Sequence, residues 1–141
     1  VLLLDLIIHH IRYQLLVMDA FSSDAIPLHL LTHEALELYK SKLVPEGGLM
    51  AFNISSRHLE LRPFLTKIAK EVGMEAYHQK FMSKKADDLI FSAEWMVLAE
   101  PNSRWAPQIE ESGFKRVKTD DKTPLWTDSY SNILRAIKWE R

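Results

Sequence analysis

Two carboxylates and two hydroxyls are the residues of this sequence whose types and spacing best suit chemistry. They lie in one short loop after an apolar segment: Asp19, Ser22, Ser23 and Asp24. Carboxylates that converge on a polar cleft stabilise a cationic ligand, and a partly desolvated carboxylate can accept a proton from an attacking amine. The loop therefore predicts an amine-binding site. The alternative is structural: Asp24 caps the following turn, and Asp19 binds backbone amides of the loop.

The other polar residues do not complete a known kind of site. His29 and His33 have the spacing of two metal ligands on a helix, but Thr32 indicates that a helix begins between them, so we predict no metal site. No serine lies in a Gly-x-Ser-x-Gly sequence. The glycines, at positions 47, 48, 73 and 113, form neither a Gly-x-Gly turn nor a Walker loop. The chain therefore lacks the usual backbone cradle for a nucleotide-type cofactor.

A second polar and aromatic segment covers residues 126–132. Thr127 or Asp128 is a natural N-cap for a helix that follows, and Trp126 can pack onto that helix from the position before it. We expect a structural role for this segment. That it borders the same cleft as Asp19 stays open.

The composition is that of an ordinary globular domain. The 141 residues are 47% hydrophobic and 26% charged, which fits a single domain. Eighteen basic and 19 acidic side chains give a net charge of −1, so no broad field attracts a nucleic acid or an anionic membrane. The sequence has no cysteine, which excludes disulfides and thiolate chemistry and fits a cytoplasmic location.

The apolar run at residues 1–8 is far shorter than the roughly 20 residues that span a bilayer, and it lacks the features of a signal peptide. Because apolar segments are normally flanked by turns, we expect this chain to be a piece of a longer protein.

Alternating strands and helices are predicted to position Asp19. Residues 13–20 and 49–54 are typical of short strands, the first of them buried on both faces of a parallel sheet. A crossover helix capped by Thr32 is predicted between them, and a second helix from about residue 59, before Gly73. Short connections between such elements are typical of right-handed crossover units, so the fold class is α/β. Ligands of these sheets bind at the carboxyl ends of strands, where Asp19 lies.

The C-terminal half adds two strands and two helices to this prediction. Residues 75–81 and 93–99 read as strands, and the loop that joins them is too short for a crossover helix, so we expect antiparallel pairing. A weak helix is predicted over 107–112 and a stronger one over 128–139. The expected inner face of the last helix is apolar: Tyr130, Ile133, Leu134 and Ile137.

Two segments resemble the spermidine synthase-like proteins, in particular the bacterial branch often fused to a membrane-transporter-like region. They are LLVMDAFSSDAIPLHLLTHEALELYKSKLVPEGGLMAFNIS and LWTDSYSNILRAIKW. The similarity covers about residues 13–139 and is most specific at 19–32. It implies the C-terminal part of a methyltransferase-like Rossmann sheet, with parallel strands, crossover helices and a terminal antiparallel strand pair. Residues 1–141 would form a single, partial domain of this type.

The resemblance also implies an activity. The family transfers an aminopropyl group from decarboxylated S-adenosylmethionine to an amine or polyamine, and methylthioadenosine leaves. At the matching positions, Asp19 would help deprotonate the attacking amine and Asp24 would bind the substrate, with Ser22 and Ser23 beside them. The family pattern is close to Asp-Ser-Ser/Thr-Asp-Pro, whereas here Ala20 and Phe21 widen the spacing.

The family's glycine-rich cofactor turn lies upstream of the strand that ends at Asp19, and this sequence has no such turn. We therefore assign no cofactor-binding residue and expect the chain to be inactive alone. A noncatalytic interaction domain that pairs with another chain, and a small-molecule S-adenosylmethionine-dependent methyltransferase, are the alternatives. The expected partners are an amine or polyamine and S-adenosylmethionine or its decarboxylated form, with no metal and no nucleic acid. A homo-oligomer and an attached membrane region stay open.

Overall fold

A computed structural model of the chain describes residues 11–20, 27–84 and 90–138. Its strands are β1 (Leu15–Met18), β2 (Leu49–Asn53), β3 (Glu75–Lys84), β4 (Ile90–Ala99) and β5 (Lys115–Val117). Its helices are α1 (His33–Ser41), α2 (Arg62–Glu71) and α3 (Ala106–Glu111), with short 3₁₀ turns at Leu28–Leu30 and Ile133–Ala136. The fold is α/β, as predicted.

The strands of the described residues form one mixed sheet in the order β1-β2-β4-β3-β5. β1 and β2 are parallel, whereas β4 is antiparallel to both β2 and β3, and β5 is antiparallel to β3. The predicted antiparallel pair of β3 and β4 is therefore confirmed. The expectation of a parallel sheet is corrected, because β4 inserts between β2 and β3 and β5 adds a further antiparallel edge. It follows that β1, β2 and β3 run in the same direction.

The main core lies between the sheet and helices α1 and α2. Alternate residues of the two central strands are buried and face this layer: Met50, Phe52, Met96 and Leu98. Leu36 of α1 and Ile68 of α2 pack in the same cluster and are fully buried. Thr32 accepts a hydrogen bond from the Ala35 amide and caps α1 as predicted, and Gly73 follows α2 with a φ of 73°, which favours glycine at that position.

The opposite face of the sheet is covered only in part by the described residues. Ile109 of α3 packs there against Tyr77 and Ala99. The outward side chains of β1, Leu15 and Val17, are 52% and 53% exposed. The prediction that this strand is buried on both faces is therefore wrong for the described residues, because α3 covers the β3 and β4 side of the sheet and leaves β1 open.

The tail does not form the predicted helix over 128–139 within the described residues. The backbones of Thr127 and Tyr130 bond to each other and close a turn, and the only helical segment described after it is the 3₁₀ turn Ile133–Ala136. Leu134, expected on the inner face, is 64% exposed, whereas Ala136 is buried. The helical spacing of apolar residues was thus misleading, because hydrogen bonds within the turn take up the backbone groups that a helix would need.

Trp126 joins the tail to both helices. Its ring is fully buried and stacks on Phe64 of α2, with centroids 4.1 Å apart. Its carbonyl accepts a hydrogen bond of 2.8 Å from the amide of His33, at the start of α1. Trp126 therefore packs on α2 and not on a tail helix. Among the described helices, none is both long enough and apolar enough to cross a membrane.

Trp126→Ala should lower the free energy of unfolding by about 3–5 kcal/mol, because it leaves a large cavity and removes the stack on Phe64. Leu134→Ala is the matched control, and its exposed side chain should change the free energy by about 0.5 kcal/mol or less. Urea denaturation of both variants measures this. A large loss of stability in Leu134→Ala would indicate that this side chain is buried, as the predicted tail helix requires, and would contradict its exposed position in the fold.

Candidate functional site

Asp19 lies where the sequence placed it, directly after β1. Met18 pairs with Phe52 in the parallel register, so the next residues along the two strands, Asp19 and Asn53, stand beside each other. The amide Nδ2 of Asn53 donates a hydrogen bond of 2.7 Å to Oδ1 of Asp19, in an exposed position. The carboxyl ends of the two parallel strands thus share a polar pair at the sheet edge where α/β folds bind ligands.

The other predicted members of this site are Ser22, Ser23 and Asp24, and they lie outside the described residues. That the two carboxylates converge on one ligand therefore stays a prediction.

The orientation of the Asn53 side chain is set by Ser55. Oδ1 of Asn53 accepts hydrogen bonds from the backbone amide of Ser55, at 3.1 Å, and from its hydroxyl, at 2.6 Å. A backbone N–H can only donate, so the oxygen of the Asn53 amide must face Ser55 and the nitrogen must face Asp19. The sequence reasoning missed both residues as site residues. Their signal was a polar residue at the end of the second apolar strand, Asn53, and the polar segment that begins at Ser55.

Ser55 is in turn tied to β4. The backbone amide of Glu94 donates to the Ser55 hydroxyl at 2.8 Å, and the amide of Ile54 donates to the Glu94 carbonyl at 2.8 Å. Glu94 is only 9% exposed, and its carboxylate lies 2.7 Å from Nε2 of His78 on β3. This contact satisfies two polar groups on a largely buried face. Hydrogen bonds therefore connect β1, β2, β4 and β3 at one end of the sheet.

An open cleft of about 440 Å³ lies elsewhere, beside the amino end of β3. Most of the charged side chains that line it form ion pairs. Nη1 of Arg116 lies 3.2 Å from Oε1 of Glu75, and Nζ of Lys70 lies 3.6 Å from Oδ1 of Asp121. Because β1, β2 and β3 run in the same direction, the start of β3 and the end of β1 are at opposite edges of the sheet. The cleft is therefore separate from the Asp19 site.

Tyr77 contacts two of the charged residues that line this cleft, Glu75 and Arg116. Its hydroxyl donates to Glu75 and accepts from Arg116, each at 3.2 Å. Burial raises the pKa of Tyr77, and the neighbouring guanidinium opposes that shift. Burial likewise raises the pKa of Tyr39, whose hydroxyl donates to the Leu30 carbonyl at 3.3 Å. The hydrogen bond with Tyr77 raises the pKa of Arg116.

The histidines near α1 are not arranged as a metal centre. His33 lies 3.7 Å from Glu37, one turn along the helix, and His29 lies in the preceding 3₁₀ turn. Across residues 11–20, 27–84 and 90–138, no three or more histidine or acidic side chains are close enough together to hold a metal ion.

Asp128, expected as a cap of a tail helix, instead bonds to the start of α1. The hydroxyl of Thr32 donates to its carboxylate at 2.6 Å, and its own amide donates to Glu34 at 3.0 Å. These bonds fasten the segment over 126–132 to the helix layer, in agreement with the structural role expected for it.

No protein-family model matches this chain, and no curated protein matches it either. The resemblance to spermidine synthase-like proteins thus rests on the motifs quoted above.

The protein should lose stability as the pH rises above about 10. The pKa values of Tyr39 and Tyr77 in the fold are raised above the ordinary 10.0, so the unfolded chain releases these protons first. Their stabilisation is complete below the unfolded pKa and is lost as the pH rises through the folded one. Urea denaturation at about pH 9 and about pH 11 measures the loss.

Tyr77→Phe should show a smaller loss between those two pH values than the wild type, since it removes one of the shifted groups. Tyr130→Phe, which removes a half-exposed tyrosine, is the control. An equal pH-dependent loss in Tyr77→Phe and the wild type would show that Tyr77 does not take part.

Proposed function

We propose that this chain carries the acceptor side of a spermidine synthase-like transferase, in which Asp19 binds and deprotonates the attacking amine. The observation that carries the proposal is the Asp19 carboxylate, exposed at the shared carboxyl edge of β1 and β2 with one oxygen held by Asn53 at 2.7 Å. Among the described residues, none donates a hydrogen bond to the second oxygen of this carboxylate.

The chemistry requires an anion at this place. An aliphatic amine is protonated near neutral pH, so a carboxylate attracts it as a cation. The nitrogen attacks only after it has lost a proton, and Asp19 would accept that proton. The new C–N bond forms as the C–S bond of decarboxylated S-adenosylmethionine breaks, and methylthioadenosine leaves with the electron pair. In this proposal Ser22, Ser23 and Asp24 bind the rest of the amine.

The fold supports the proposal without selecting the group that is transferred. β1, β2 and β3 run in one direction and are linked by α1 and α2, and β3 and β4 form an antiparallel pair. This is compatible with the C-terminal part of a methyltransferase-like Rossmann sheet, and a methyl donor would meet the same edge. We assign no residue to the nucleoside of the co-substrate, because the glycines of this sequence come after β1 and form no Gly-x-Gly turn.

A noncatalytic interaction domain is the second candidate. The outer face of β1 favours it: Leu15 and Val17 are about half exposed and adjacent on that face, and within the described residues β1 pairs with β2 alone. Exposed apolar strands at the edge of a sheet pair readily with other chains.

Asp19→Asn tests the first candidate. Calorimetric titration of the full chain with putrescine should give an affinity about tenfold or more below that of the wild type, since the substitution removes the charge. The fold should be unaffected, because the side chain is exposed. Asp121→Asn is the control, since that carboxylate is 91% exposed and lies by the other edge. Unchanged putrescine binding by Asp19→Asn would refute the role of Asp19.

Val17→Lys tests the second candidate. If β1 is a docking strand, sedimentation analysis should show self-association of the wild-type chain that the lysine abolishes, while putrescine binding is retained. Leu38→Lys is the control, because Leu38 is 57% exposed and belongs to α1 and not to β1. Equal sedimentation of all three proteins as monomers would count against self-pairing.

A further inference from the structure

We infer that Asn53 and Ser55 are positioning residues, which hold the Asp19 carboxylate in one orientation through a hydrogen-bond chain that starts at the backbone of β4. The inference rests on the proposed function for its purpose, but its geometry stands by itself.

The chain of hydrogen bonds has one direction. Its first member, the Glu94 backbone N–H, can only donate, so the Ser55 hydroxyl accepts there at 2.8 Å. The hydroxyl proton then points to Oδ1 of Asn53 at 2.6 Å, which is much closer than the Glu94 carbonyl at 3.5 Å. With its oxygen occupied, the Asn53 amide presents only its N–H groups to Asp19. The last member, the Asp19 carboxylate, accepts.

The hydrogen-bond chain also fixes the position of the Asp19 carboxylate. An exposed aspartate at the end of a strand would otherwise sample several rotamers. Here its Oδ1 is bonded to the side chain of Asn53, the last residue of β2, and that side chain is connected to the backbone of β4 through the Ser55 hydroxyl. β2 and β4 are paired with each other in the middle of the sheet. Sites supported by rigid elements keep their geometry better than sites supported by loops. Asp19 therefore takes its orientation from the sheet.

The effect of Asn53 on orientation can be separated from an effect of charge. The Asn53 amide is neutral, so it orients Asp19 without placing a second charge beside it. Asn53→Asp keeps the size of the side chain and keeps acceptors for both Ser55 donors, but it replaces the donor that faces Asp19 with an acceptor. This substitution therefore separates orientation from charge.

The test compares Ser55→Ala, Ser55→Thr and Asn53→Asp with the wild-type chain by titration with putrescine. Loss of the hydroxyl in Ser55→Ala should weaken binding by about fivefold to tenfold, and Ser55→Thr, which keeps the hydroxyl, should restore it. Asn53→Asp should weaken binding despite its added negative charge. Tighter binding by Asn53→Asp would show that charge alone matters and would overturn the inference.

A second measurement decides the inference even if the wild type binds no putrescine, a result that would end the proposed function. In ¹H–¹⁵N correlation spectra, the side-chain NH₂ of Asn53 should give two resolved proton resonances, protected from solvent exchange, in the wild type and in Ser55→Thr. In Ser55→Ala and in Asp19→Ala these resonances should shift and lose protection. Unchanged Asn53 resonances in both alanine variants would refute the hydrogen-bond chain.

Discussion

The pairing of β2 with β4 is the constraint on which the rest of the structure depends. Its register places Phe52 opposite Met96 and Met50 opposite Leu98, so all four side chains face α1 and α2. A slip of one residue would turn one strand's set to the other face, which makes the register strongly specified by the burial of these side chains. The same register brings the Glu94 amide to Ser55 at the end of the strands. Hydrophobic packing in the middle of the sheet thus sets the polar geometry at its edge.

Much of the fold follows from local signals in the sequence. Thr32 as a cap, the apolar spacing of the first two helices and the short loop between the third and fourth strands are local, and each predicted an element that the structure contains. Apart from the tail helix, which a local turn replaces, the predictions that failed depend on contacts between distant residues. The exposure of Leu15 depends on which element covers β1, and the insertion of β4 depends on strand order. β5, at Lys115–Val117, is too short to give a periodic signal.

The candidate site likewise contains one residue that local sequence signals predicted and two that they did not. Asp19 was predicted because a carboxylate after a buried-looking strand has a definite meaning in α/β folds. Asn53 and Ser55 were not, because their importance comes from the parallel pairing of β1 and β2 and from the contact of Ser55 with β4. Neither the contact between Asp19 and Asn53 nor the contact between Ser55 and β4 can be predicted from sequence spacing, because the partners are far apart in the sequence. Asp19 and Asn53, for example, are separated by a whole crossover helix.

Trp126 makes a large contribution to the packing of the helix layer. Trp126 is fully buried and stacked on Phe64, although no described group accepts a hydrogen bond from its Nε1. An unmet buried donor costs about 1–3 kcal/mol, so the packing of this ring must exceed that penalty. The tail thereby fastens both helices to each other on one side of the sheet, whereas the contact between Asp19 and Asn53 is exposed to solvent.

That openness limits what Asp19 can do by itself. An exposed carboxylate attracts an amine only weakly, because water screens the charge at short range and salt screens it further. The hydrogen-bond chain from β4 supplies orientation and does not exclude water. In the proposed transferase, affinity for the amine must therefore come from further side chains, and Ser22, Ser23 and Asp24 are the residues proposed to supply it. The sheet would direct the carboxylate, and Ser22, Ser23 and Asp24 would make its charge effective.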